Sequence, residues 1–243
     1  MCRMIGFASA EPVDATAYLG CLSDFSRRGN LVDRWERRPG GNHPDGWGIA
    51  YRREGETRLL RSGKPANADP MLSDLRVTTD RFIGHVRYAS NTATVNASNA
   101  HPFLVRGTAL AHNGTFRGKI GEEASLRNIS DTLVFLERLS ALWGEKTFSR
   151  LREALTEILG DSGQVGDYSA ANLLIVSGEA LFALRHFRRD EDYYTLFLRT
   201  SPEQAVVASQ PLDDAPGWRL LGNGELVELR PRAPRSAFLF AAV

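Results

Sequence analysis

Cys2 stands directly behind the first methionine, in Met1-Cys2-Arg3-Met4-Ile5-Gly6-Phe7. With Met1 removed, one carbon would carry both a thiol and a free α-amine, a nucleophile supplied with its own base. Reference pKa values of about 8 for the amine and about 8.5 for the thiol allow proton transfer near neutrality. With Met1 retained, the amine is locked in a peptide bond and Cys2 is a small terminal hydrophobe. Three further clusters carry polar chemistry: His85-Val86-Arg87-Tyr88-Ala89-Ser90, His112-Asn113-Gly114 and Ser130-Asp131. Arg87 offers a planar fork for a carboxylate. Asn113 offers a side-chain amide donor and Gly114 a backbone donor that can approach closely, the two parts of an oxyanion hole. Asp131 offers an anion for an ammonium group. A substrate with an α-carboxylate, an α-ammonium and a carbonyl open to attack uses all four, and glutamine and γ-glutamyl amides have that shape.

Each group also has an ordinary structural reading. Asn-Gly is a common turn, a strand arginine is commonly half of a surface ion pair, and Ser-Asp before an apolar run is a helix cap. His85, His101 and His112 read as structural hydrogen-bonding residues. Their spacing matches no compact zinc motif, so no metal is expected. Gly222-Asn223-Gly224 is a fragment of a dinucleotide fingerprint that precedes a strand rather than a helix, which excludes a Rossmann site; no cofactor is expected.

The elements that must position these groups can be read from periodicity. Residues 3 to 9 form a short strand holding Cys2 at its start. Pro12 and Asp14 open a helix to about Arg28, with Tyr18, Cys21, Leu22 and Phe25 on one stripe, so Cys21 is a packing residue. Gly29 and Asn30 end it. Residues 34–41 have mobile-loop composition. Strands follow at Ile49–Tyr51, Arg58–Arg61, Arg81–Ser90 and Thr108–His112, with a short helix from Asp69 to Arg76 and a polar loop from Asn91 to His101. Two glycines flanking Trp47 point to closely packed backbone. Ser130 caps a helix to about Gly144, and Phe148 to Gly160 is a second amphipathic helix. The tail reads as strands Ala171–Ser177, Ala180–Phe187, Tyr194–Arg199, Ala205–Ser209, Trp218–Leu221 and Leu226–Leu229. Gly178-Glu179 and Gly222-Asn223-Gly224 read as hairpin turns. Without βαβ alternation, this order predicts one α+β domain with antiparallel sheets.

Composition narrows the class. The 243 residues include 42% hydrophobic and 24% charged side chains, ordinary for a globular protein. Thirty basic residues against 29 acidic ones leave no nucleic-acid footprint. Two cysteines cannot build a disulfide scaffold, no apolar run spans a membrane and no secretory signal is visible, which together predict a cytoplasmic protein.

The order and spelling of the motifs go further. Met1-Cys2-Arg3, Asp45-Gly46-Trp47-Gly48-Ile49-Ala50, Gly84-His85-Val86-Arg87-Tyr88-Ala89-Ser90, His101-Pro102-Phe103, Ala111-His112-Asn113-Gly114 and Ser130-Asp131-Thr132 resemble the class II glutamine amidotransferases, the N-terminal-nucleophile family. The late Ala208-Ser209-Gln210-Pro211 is similar to the stand-alone bacterial branch without a synthetase domain. The resemblance implies a single type-2 domain over 1–243, folded as a four-layer αββα sandwich of two antiparallel sheets. It implies Cys2 as nucleophile and, through its amine, base; Asn113 and Gly114 as the oxyanion hole; Arg87, helped by Ser90, on the substrate α-carboxylate; and Asp131 on the α-ammonium. The implied activity is hydrolysis of glutamine or a γ-glutamyl amide. Alternatives are a glutaminase subunit feeding ammonia to a separate synthetase, and a non-catalytic γ-glutamyl-binding module. Leu133 follows Thr132 where the family often has Glu, and Ser90-Asn91 replaces a frequent Thr-His. These departures bear on the helix start at Asp131 and on substrate contacts.

Overall fold

In the computed structural model, which describes residues 2–29, 42–89 and 92–240, strand β1 (Arg3–Asp14) sends Met4 and Ala8 to one side and Ile5 and Phe7 to the other. Both faces are apolar, so a strand of this pattern must be covered twice. The expectations for Met1, Asn30, the loop 34–41, Ser90 and Asn91 lie outside the described residues.

One sheet contains β1, β2 (Trp47–Arg53), β3 (Glu56–Ser62), β4 (Thr78–Val86), β9 (Phe197–Thr200), β10 (Gln204–Ala208) and β11 (Arg219–Leu220). Their spatial order is β11-β9-β10-β1-β4-β2-β3. The other contains β5 (Phe103–Val105), β6 (Thr108–Gly114), β7 (Ala171–Ser177), β8 (Ala180–Arg185), β12 (Glu225–Glu228) and β13 (Arg235–Phe238), in the order β13-β12-β8-β7-β6-β5. Neighbouring strands pair antiparallel throughout.

The inner faces meet through small side chains, Ala8, Ala50, Ala109, Ala111, Ala183 and Ala205, with Met4, Ile83, Leu174 and Val176. This composition lets the sheets close on each other, and extra methylenes there would overpack the layer. Outside the first sheet lie α1 (Thr16–Arg27) and α2 (Pro70–Ser73), which pack Leu19, Leu22, Phe25 and Leu72 on Ile5, Phe7, Phe82 and Val86. Outside the second lie α3 (Gly118–Arg127), α4 (Asp131–Leu142), α5 (Phe148–Gly160) and α6 (Ser162–Val165), which pack on Leu110, Leu173, Ile175 and Leu184. The result is the expected four-layer αββα sandwich. Gly48 of β2 is one point of close approach: a Cβ there would lie 2.5 Å from the His101 carbonyl oxygen.

Some local expectations are corrected. β1 continues through Pro12 to Asp14, and the first helix begins only at Thr16; the β1–β4 register shifts between Ala8 and Val13, an irregular stretch where a proline is tolerated. Gly222-Asn223-Gly224 is not a hairpin. The strand before it pairs in one sheet and the strand after it in the other, so the turn is a crossover. The strand expected from Tyr194 begins at Phe197.

Candidate active site

Strand alternation and strand ends bring Cys2, Arg87 and Asn113 to one end of the sandwich. On β6, Ala109 and Ala111 belong to the inter-sheet layer while Leu110 packs outward, so Asn113 faces inward and His112 outward. On β4, Ile83 lies in the same inner layer, which puts His85 inward, with Arg87 just past the strand end. On β1, Met4 is inward, and Cys2 precedes the strand on that side. Because Arg3 pairs with Val86, the start of β1 meets the end of β4.

Around the nucleophile candidate, backbone and side chains are held from several directions. The Cys2 thiol, partly exposed, lies 3.9 Å from the Tyr88 carbonyl oxygen, within reach of a weak S–H donor. Arg3 is buried; its guanidinium donates to the Cys2 carbonyl at 3.2 Å and to the Gly29 carbonyl, and lies 5.0 Å from the Tyr193 ring centre. Burial pushes its pKa below the ordinary arginine value. The Met4 amide donates to the Ser209 hydroxyl at 2.9 Å, and the Ser209 amide returns a bond of 2.9 Å to the Met4 carbonyl.

Asn113 is 1% exposed, and neither atom of its side-chain amide has a hydrogen-bond partner among the described residues. Leaving a buried donor and acceptor unmade costs roughly 1–3 kcal/mol per group, so such an amide marks a place kept open for something else. Gly114 follows at φ +155°, and a Cβ there would lie 1.9 Å from the Ala170 carbonyl oxygen. Only glycine can follow Asn113 in this backbone.

Arg87 is positioned by the chain on both sides. Its amide donates to the Gly46 carbonyl at 2.8 Å, its carbonyl accepts from the Asp45 amide at 3.1 Å, and the buried Asp45 carboxylate accepts from the Ala89 amide at 2.7 Å. The guanidinium fork points at Thr94, donating to its carbonyl at 2.6 Å and its hydroxyl at 2.8 Å. These two oxygens occupy the fork as the two oxygens of a carboxylate would. Asp131 opens α4. One oxygen accepts from the Phe116 amide at 2.7 Å and the other from the Thr132 amide at 2.8 Å, while Ser130 caps the helix as expected. The helix start is therefore intact with Leu133 in place of Glu.

A ladder of buried rings runs between these groups. His85 and His101 have ring centres 4.5 Å apart, His101 and His112 lie 6.5 Å apart, and His112 stacks on Phe116 at 4.4 Å. His112 Nε2 donates to the Ala170 carbonyl at 3.1 Å, so in the neutral ring Nδ1 accepts from the Thr132 hydroxyl at 2.9 Å. Burial, then the Arg87 charge, pushes the His85 pKa down to about 3. Burial also lowers His101 well below its ordinary value, and lowers His112 against the opposing pull of Asp131. All three are neutral near pH 7. They brace the site and carry no charge into it.

Ser90 lies outside the described residues. Asp45 and Gly46, in one of the family-like motifs, hold the backbone of Arg87 and Ala89, a role that motif spelling alone does not reveal. No three His, Cys, Asp or Glu among the described residues are arranged to hold a metal ion, and no helix among them is long and apolar enough to cross a membrane.

Known proteins share the family and the fold. The family model for class II glutamine amidotransferases matches residues 1–202. A γ-glutamyl-hercynylcysteine sulfoxide hydrolase of Mycolicibacterium smegmatis is 28% identical, over 76% of this chain and 78% of its own. A solved glutamine aminotransferase class-II domain protein from Silicibacter pomeroyi superposes with a TM-score of 0.63 at 18% identity, covering 98% of this chain and 99% of that one. The Bacillus subtilis glutamine phosphoribosylpyrophosphate amidotransferase superposes with a TM-score of 0.65 at 20% identity; all of this chain aligns, over 50% of that one. Such structural likeness shows the fold, and the match over residues 1–202 shows the family: this protein is an enzyme of the class II glutamine amidotransferase family.

Proposed function

We propose that the protein hydrolyses the side-chain amide of glutamine or of a γ-glutamyl amide through a thioester on Cys2, with residues 1–243 acting as one unit. The observation that carries this reading is the buried, unpartnered amide of Asn113, facing the same inter-sheet space as the start of β1 where Cys2 lies.

In the proposed reaction the free α-amine of Cys2 takes the thiol proton and the thiolate attacks the amide carbon. The oxyanion accepts hydrogen bonds from the Asn113 Nδ2–H and the Gly114 N–H. The C–N bond then breaks, the leaving amine takes the proton from the α-ammonium, and a Cys2 thioester remains. Water, deprotonated by the same amine, cleaves the C–S bond to give the γ-carboxylate and restore the thiol. Arg87 holds the substrate α-carboxylate, which displaces Thr94 from the fork, and Ser90 assists. Asp131, already anchored by two backbone amides, holds the α-ammonium. The activity requires loss of Met1.

The name of the mycobacterial relative supports a γ-glutamyl compound with a leaving amine larger than ammonia. A second reading, a subunit passing ammonia to a separate synthetase, draws on the alignment with half of a longer amidotransferase chain. Incubation of the isolated protein with glutamine and a panel of γ-glutamyl amides tests both, with Cys2→Ala as control. Release of glutamate by wild type alone supports the hydrolase. Equal release by Cys2→Ala sinks it, and intact mass showing Met1 retained in active protein removes the amine from the mechanism.

A further inference from the structure

Two sets of buried hydrogen bonds cross between the sheets at this end of the sandwich: Arg185 donates to the Tyr194 and Leu221 carbonyls at 2.8 Å each, and a line through Asn172 runs to the Cys2 strand; the proposed reaction uses neither. Asn172 pairs with Asn113 across β6 and β7, and its Oδ1 accepts from the His186 amide at 3.1 Å. That bond fixes the amide's orientation, so Nδ2 donates to the Thr195 carbonyl, at 3.4 Å. The Thr195 hydroxyl donates to the Ser209 carbonyl at 2.7 Å. Ser209 uses its hydroxyl, in place of that carbonyl, to receive the Met4 amide at 2.9 Å. Asn172, Thr195 and Ser209 are 0%, 8% and 1% exposed. The line thus runs from the residue beside Asn113 to the residue two beyond Cys2.

We propose that Asn172, Thr195 and Ser209 form a positioning bridge that sets the spacing between the Cys2 strand and the Asn113 strand. The inference rests on the roles assigned to those two residues. Pairing within each sheet fixes strands of that sheet only. The apolar layer between the sheets attracts without direction, and the Arg185 bonds tie β8 rather than β6 to the other sheet. Hydrogen bonds have preferred angles and lengths and supply what that layer lacks. A misplacement of about 1 Å in a reacting group can cost on the order of 10²-fold in rate. The bridge also gives Ser209 of the Ala208-Ser209-Gln210-Pro211 motif a physical task.

Thr195→Val keeps the shape of the side chain and removes the donor; Thr195→Ser keeps the donor. With L-glutamine and γ-glutamyl-p-nitroanilide as probes, Thr195→Val is expected to lower kcat about 10-fold at unchanged KM, with Thr195→Ser within about 2-fold of wild type. In an Asn113→Ala background the same Val substitution is expected to add under about 2-fold, since the spacing then serves a donor that is gone. Wild-type kcat in Thr195→Val, or an undiminished 10-fold loss in the Asn113→Ala background, overturns the bridge. If wild type and Cys2→Ala turn over the probes alike, the catalytic reading has failed, and the bridge is judged on alkylation of Cys2 by iodoacetamide, followed by peptide mass. Thr195→Val is expected to react about 3-fold faster or more than wild type and Thr195→Ser, as a loosened β1 end opens more often; equal rates overturn the bridge. Should Thr195→Val fail to fold, Ser209→Ala takes its place with Ser209→Thr as the conservative partner, and the same rate changes support or overturn the bridge.

Discussion

Asn113 and Asn172 stand opposite each other on adjacent strands, 1% and 0% exposed. Cross-strand partners point to the same face with their Cβ atoms about 5 Å apart. Yet Asn172 has both ends of its amide bonded, to Thr195 and His186, and Asn113 has neither. The same side chain, at the same depth and on the same face, is spent on structure at one position and withheld at the other. Burial alone therefore does not identify a site. What marks Asn113 is that both ends of a buried amide are unmade beside Gly114 and facing the start of β1; unmade bonds alone do not, since both ring nitrogens of His85 are also without a partner among the described residues.

The comparison breaks or holds on two substitutions. Asn113→Ala is expected to lower kcat about 10²–10³-fold, the usual loss for one oxyanion donor. Its stability to urea should be unchanged or slightly raised, because an unsatisfied amide leaves the interior. Asn172→Ala is expected to do the reverse in rank: it orphans the His186 amide and the Thr195 carbonyl, costing about 2 kcal/mol of unfolding free energy, with a smaller loss of turnover. Urea midpoints and steady-state rates on the two purified variants decide it. An Asn113→Ala protein that loses stability and keeps its rate would reverse the assignment.

This contrast marks where sequence reading succeeds and where it stops. Alternation makes β6 and β7 legible, with Ala171–Ser177 matched at both ends, and the Asn113-Gly114 pair stands out because an Asn-Gly at a strand end is a distinctive local signal. Asn172 lies in the same strand with no such signal beside it. Its importance comes from Thr195 and His186, partners 23 and 14 residues away, and that of Ser209 from Met4, 205 residues away. Helix α3 is hidden for another reason: its glycines, Gly118 and Gly121, and its small buried face of Ile120 and Ala124 leave little periodicity to detect. The turn at Gly222 misleads because local turn chemistry does not say which sheet the next strand joins.

The histidine ladder supplies a test of intermediate size. His85, His101 and His112 all have folded pKa values below the ordinary 6.5, with His85 at about 3. Above pH 6.5 they are neutral in both states and their burial is not opposed by protonation. As pH falls below 6.5 the unfolded chain takes up protons that the folded chain refuses, so stability declines, and the His85 contribution continues to fall until about pH 3. Each such histidine contributes a slope of at most about 1.4 kcal/mol per pH unit. Urea titrations between pH 7.5 and 5 should show the decline, and His85→Gln should make it shallower by about one proton's worth. A flat profile would mean that the ladder admits protons, and the picture of a neutral brace behind Arg87 and Asp131 would fall.

The smallest effect concerns Thr94, and it separates a fork that is merely satisfied from one that is waiting. Thr94 holds Arg87 through its carbonyl and its hydroxyl. If the α-carboxylate of the substrate takes the same donors, binding must first release them. Thr94→Val removes the hydroxyl acceptor, keeps the shape and leaves the carbonyl. A net hydrogen bond of about 1 kcal/mol corresponds to roughly a 5-fold change in the equilibrium, so KM for a γ-glutamyl amide should fall by up to about that factor with kcat little altered. A raised KM would mean that Thr94 orients the guanidinium for the carboxylate instead of competing with it. Arg87 would then resemble Asn172, a group completed by its own chain, and the contrast of both with Asn113 would sharpen.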